Sequence, residues 1–66
     1  MINLDVIDLI KSGEKVLEEG NFKRARSKFL EALALAPEDP QLHNRLGMLE
    51  MSQGNPEKAR TYYSKA

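Results

Sequence analysis

The sequence has no cysteine and a single histidine, and its ten basic and ten acidic side chains cancel to a formal charge of zero. Without cysteine there is no disulfide, no thiolate zinc site and no thiol nucleophile, and one histidine cannot assemble the common kinds of metal cluster. No cofactor or metal is therefore expected. The missing net charge argues against the strong positive field that nucleic acid or an anionic membrane surface selects. Long apolar runs are lacking too: none approaches the roughly 20 residues of a membrane span. The opening MINLDVIDLI carries aspartates where a signal peptide carries lysines. The expectation is a soluble, unprocessed, cytoplasmic chain. Its 66 residues make at most one domain, and a chain so short buries only about 60% of the surface that its unfolded form exposes.

What is present is punctuation. Gly13, Gly20, Pro37, Pro40, Gly47, Gly54 and Pro56 interrupt the chain, and between them apolar residues recur at helical spacing. The first helix opens near Asn3 or Asp5, whose side chains can accept from the free N–H groups of a first turn, and stops at Gly20, a left-handed cap. Asn21 starts a second helix that runs to about Ala36 and is ended by Pro37. Asp39 caps a third, with Pro40 as its first residue, where the missing N–H would have had no partner anyway. That helix closes at Gly54, and Asn55-Pro56-Glu57 repeats the opening for a fourth. Four helices joined by turns this short fold back as antiparallel pairs.

The stretch GNFKRARSKFLEALALAP, from Gly20 to Pro37, has four basic residues within KRARSK and then turns apolar. At 100° per residue Ala25, Phe29, Ala32 and Ala36 share one arc of the helix, flanked by Phe22 and Leu33, while Lys23, Arg24, Arg26 and Lys28 fall mainly outside it. The basic run is read as the solvated face of an amphipathic helix. As a nucleic-acid site it has cations spread around half a helix and no aromatic platform.

A shift of 34 positions lays Gly13 on Gly47, Gly20 on Gly54, Asn21 on Asn55, Ala25 on Ala59, Arg26 on Arg60, Phe29 on Tyr63 and Ala32 on Ala66. Lys11 and Arg45, Arg24 and Lys58, and Leu17 and Met51 are near matches. One helix-turn-helix unit has been used twice, and its period, with its joint pattern of small, aromatic and turn residues, resembles the tetratricopeptide repeat. The small residue of that repeat's first helix matches Gly13 and Gly47, next to Leu46. The alanine of its second helix matches Ala25 and Ala59, the aromatic residue matches Phe29 and Tyr63, and the closing proline matches Pro37. The departures lie in the first helices: Leu9 and His43 stand at the tryptophan position, Ser12 at the leucine position, and Val16 and Glu50 at the tyrosine position.

The resemblance implies an all-α fold in which two repeats, about 5–38 and 39–66, stack as a short right-handed solenoid in a single domain covering residues 1–66. Gly13, Ala25, Phe29, Ala32, Gly47, Ala59, Tyr63 and Ala66 would then pack the helices, the glycines lying where a partner helix carrying alanine passes closely. It implies a protein-interaction module, not an enzyme, whose concave face is lined by the first helix of each unit: Ile7, Ile10, Glu14 and Leu17, then Gln41, Asn44, Met48 and Met51. Chaperone-binding members of the family clamp a terminal carboxylate with lysine and asparagine. Ile10, Glu14 and Arg45 stand at the corresponding places here, so a ligand with apolar contacts is the better expectation.

As a general base or ligand His43 would need an acid, nucleophile or second ligand held nearby in a cleft; the sequence offers no such constellation, and His43 reads as a packing or surface residue. Met48 and Met51 would be core residues by default, yet they sit on a first helix, and methionine adapts to varied partners. Repeat arrays usually need about three units and a polar cap. The second unit here has no counterpart of the LALAP segment. Self-association through Tyr62 and Tyr63 is the alternative expectation, or a place in a longer array.

Overall fold

In the computed structural model of the chain, which describes residues 4–66, all regular structure is helical. Helix α1 is Leu4–Glu18, α2 is Phe22–Leu35, α3 is Pro40–Ser52 and α4 is Pro56–Lys65. They form two antiparallel hairpins, α1 with α2 and α3 with α4, and α3 lies against α2 to stack one hairpin on the other.

The two hairpins turn in the same way. Gly20 and Gly54 have φ of 83° and 76°, a left-handed conformation in which a Cβ would be strained. Around each glycine the same pair of bonds satisfies carbonyls that a helix end leaves free. Asn21 N–H donates to the Val16 carbonyl and Gly20 N–H to the Leu17 carbonyl; Asn55 N–H donates to Glu50 and Gly54 N–H to Met51. This is the Schellman arrangement at a helix C-terminus.

The N-caps are less uniform. The Asn21 side chain accepts from Arg24 N–H at 3.1 Å, and Asp39 accepts from Gln41 N–H at 2.9 Å ahead of Pro40. Asn55 occupies the cap position of α4 but makes no capping bond with its side chain. Its Nδ2 donates instead to Glu50 Oε1 at 2.9 Å. The opening of α4 therefore repeats that of the other helices in sequence but not in bonding. Helix α1 begins at Leu4, so Asp5 lies inside its first turn and not at its cap; a cap at Asn3 lies outside the described residues.

One buried cluster joins the hairpins: Val6 from α1, Ala25, Phe29 and Ala32 from α2, and Leu42, Leu46 and Leu49 from α3. Fully burying a side chain of the size of Leu or Phe contributes about 1.5–3 kcal/mol, and Leu9, Ile10, Val16, Leu17, Phe22, Leu33, Ala36 and Tyr62 pack partly buried against this cluster. The Cα atoms span 36 × 27 × 13 Å. In so thin a slab many apolar side chains stay near the surface.

The two helix glycines meet rings. A methyl group on Gly13 would stand 2.6 Å from Phe29 Cε1, and one on Gly47 would stand 2.6 Å from Tyr63 Cε1. Each hairpin thus closes by laying the aromatic ring of its second helix against the bare backbone of its own first helix. Ala66 departs from expectation. Ala32 is buried beneath the second hairpin, whereas Ala66 is exposed because no described residue covers its side of α4.

Candidate functional site: the groove between the first helices

Helices α1 and α3 lie on the same side of the slab, and a cavity of about 400 Å³ opens between them, lined by Glu14, Leu17, Phe29, Asn44, Arg45 and Met48. Four of the eight residues expected on the concave face are thus brought together: Glu14, Leu17, Asn44 and Met48. Ile7 is exposed and Ile10 half-buried further along α1, and Gln41 is exposed in the first turn of α3. Met51 lies elsewhere. It lines a second cleft with Pro56, Ala59, Arg60, Tyr63 and Ser64 on the α4 side, because the chain turns at Gly54 and carries α4 past it.

Arg45, which stands at one of the family's clamp places but not among the eight expected lining residues, also lines the cavity and sets its polarity. Its Nε donates to Glu14 Oε2 at 2.7 Å and its Nη2 lies 2.6 Å from the same oxygen. The pair bridges the two hairpins, but both side chains keep contact with water, and such pairs contribute at most about 1 kcal/mol. Opposite charges on facing first helices were the available signal, and they are separated by 31 positions. Above this pair Met48 stands 62% exposed. The Asn44 amide, also exposed, makes no hydrogen bond among the described residues. An amide offers two donors and a carbonyl acceptor, the complement of a peptide backbone.

The basic run is not one solvated face. Lys23 and Arg24 are exposed, but Arg26 turns toward the second hairpin. Its Nε donates to Glu50 Oε2 at 3.1 Å and its Nη2 to Glu50 Oε1 at 3.3 Å. Glu50 is buried and also accepts from Asn55, so its carboxylate ties α2, α3 and the α3–α4 turn together. Removing water from a carboxylate is costly unless its oxygens are bonded; here both are. The departure at the tyrosine position of the second repeat is therefore a buried polar junction.

His43 is buried, as a packing residue. A carbonyl can only accept, so the 2.8 Å contact of Nε2 with the Pro37 carbonyl places a proton on Nε2. The ring centre lies 6.2 Å from that of Tyr62. Tyr62 itself is half-buried against the core, so of the two tyrosines expected at a self-contact only Tyr63 is exposed. Among the described residues no three His, Asp or Glu side chains gather as a metal site, and no helix is long and apolar enough to cross a membrane.

No curated protein and no solved structure matches the chain. The sequence pattern of the tetratricopeptide repeat matches residues 12–66. That span takes in the end of α1 and all of α2, α3 and α4, with both glycine-to-ring contacts and both Schellman turns. The chain belongs to the tetratricopeptide repeat family.

Proposed function

We propose that this chain binds a protein segment, a helix or an extended peptide, in the groove between α1 and α3. Tetratricopeptide repeats are in general protein-interaction modules and typically non-enzymatic scaffolds. The observation that carries the reading is Met48, a large flexible apolar side chain held 62% exposed beside the cavity and next to the unpaired Asn44 amide. Methionine repacks around partners of different shape, and exposed methionines of this kind suit apolar ligand side chains. Asn44 would hold the ligand's backbone, while the Glu14–Arg45 pair would reject a lone charge of either sign by already satisfying its own.

Peptides selected from a random library on the immobilised chain test this. Met48→Glu should weaken the selected peptides by at least about tenfold and Asn44→Ala by severalfold, magnitudes usual for a central contact. Charge reversal at Lys23 and Arg24 should leave affinity nearly unchanged. Selected peptides that lose affinity on that reversal and are indifferent to Met48→Glu would overturn the groove reading in favour of the basic face.

A further inference from the structure

The chain contains, within itself, a complete example of a helix docked on a second-helix face. Leu42, Leu46 and Leu49 of α3 join one buried cluster with Ala25, Phe29 and Ala32 of α2, and Glu50 of α3 accepts from Arg26 of α2. The apolar positions are spaced i, i+4 and i+7, one stripe of a helix, and the acid follows at i+8.

The same face recurs 34 positions on, on α4, with nothing described upon it. Ala25, Arg26 and Phe29 become Ala59, Arg60 and Tyr63. Where Phe29 is fully buried, Tyr63 is 41% exposed. Where Arg26 is half-buried against a carboxylate, Arg60 is exposed and its guanidinium has no partner among the described residues. With Met51, Pro56 and Ser64 they line an open cleft of about 520 Å³.

We propose that this cleft docks an amphipathic helix of the α3 type, with leucine-sized residues at i, i+4 and i+7 and a glutamate at i+8 whose carboxylate pairs with Arg60. Charge complementarity selects this occupant over a second copy of the chain. In a head-to-tail stack α1 would have to take the part of α3, but the positions that correspond to Leu42, Leu46 and Leu49 are Asp8, Ser12 and Lys15, all exposed and polar. Val16 stands where Glu50 does. A two-fold contact centred on the cleft sets Arg60 against its own counterpart, with no acid among the lining residues to separate the like charges. An acidic amphipathic helix meets both demands at once: it covers Tyr63 and Met51 and neutralises Arg60.

The probe is a peptide of the α3 sequence, residues 39–53, held helical by a hydrocarbon bridge between the positions of Asn44 and Met48, both exposed on α3. Titrated into the isotope-labelled full chain, it should shift amide resonances at Met51, Ala59, Arg60, Tyr63 and Ser64. A peptide with lysine at the Glu50 position should bind at least about tenfold more weakly, as expected when one member of a charge pair is reversed. The Arg60→Glu chain should invert that preference, and because Arg60 is exposed its helical circular dichroism should be unchanged. Arg60→Gln should abolish the preference without inverting it. The proposal is overturned by shifts confined to Glu14, Leu17, Asn44 and Met48, by the absence of shifts on α4, by a charge preference indifferent to Arg60, or by sedimentation showing the cleft already occupied by a second copy.

Discussion

Phe29 and Tyr63 hold the same place in their hairpins, each with its ring so close to a helix glycine that an added methyl group would stand 2.6 Å from it, yet one is wholly buried and the other is 41% exposed. The same contrast runs through the pairs around them. Arg26 is bound to Glu50 and Arg60 has no described partner; Ala32 is covered and Ala66 is not. What differs is not the hairpin but its neighbour, since α3 lies on α2 and no described element lies on the corresponding face of α4. A repeat of this kind closes its own hairpin but leaves the burial of its second helix to the unit that follows.

The largest loss of stability is expected at the rings. Phe29→Ala should destabilise by about 3–5 kcal/mol, the usual cost of removing a buried aromatic side chain. In so small a protein much of the helical signal would be lost. Tyr63→Ala should cost about half as much, because part of its ring is in water already. Urea unfolding followed by circular dichroism checks both, and equal midpoints for the two variants would mean that α4 is as covered as α2.

Arginine comes next. Arg26→Ala leaves the Glu50 carboxylate buried with Asn55 as its one side-chain partner, and should cost about 3 kcal/mol, the low end for a broken buried pair because water reaches part of Arg26. Arg60→Ala should stay within about 0.5 kcal/mol, as exposed substitutions do. The same unfolding curves give the difference directly.

The two cap asparagines should also part. Asn55→Ala removes a hydrogen bond to a buried carboxylate and should cost about 2 kcal/mol. Asn21→Ala removes an ordinary cap, worth about 1 kcal/mol. Thermal melts of the pair would show the larger fall for Asn55→Ala.

The smallest effects are expected for alanine at the two helix glycines. Alanine at either glycine gains about 1 kcal/mol of helix propensity but must displace a ring. At Gly13 the ring belongs to the fully buried Phe29 and cannot leave, so overpacking of about 1–3 kcal/mol leaves Gly13→Ala net destabilised by about 1 kcal/mol. At Gly47 the Tyr63 ring can swing toward water, and Gly47→Ala should be close to neutral. Leucine at position 47 exceeds that freedom, and Gly47→Leu should cost about 1–3 kcal/mol.

Most of the fold was legible because its signals are local. The left-handed glycines at 20 and 54, the side-chain caps at Asn21 and Asp39 and the proline opening α3 all act through bonds within a few residues, so the chain's order of residues determines them wherever the helices end up. The period of 34 then places glycine, aromatic and turn residues in step, which determines the hairpin and its repetition. Four of the six residues lining the groove were legible too: Glu14, Leu17, Asn44 and Met48. Tertiary structure alone decided the rest. The Arg26–Glu50 contact spans 24 positions and the Glu14–Arg45 contact spans 31, so each exists only once α3 has settled against the first hairpin. That docking takes Arg26 out of the solvated face, while the packing of α4 on α3 leaves Met51 beside α4 instead of in the groove and the Asn55 side chain turns from its cap to Glu50. A residue's helix follows from its near neighbours in the chain, but whether its side chain meets water, a ring or a carboxylate follows from neighbours that only folding supplies.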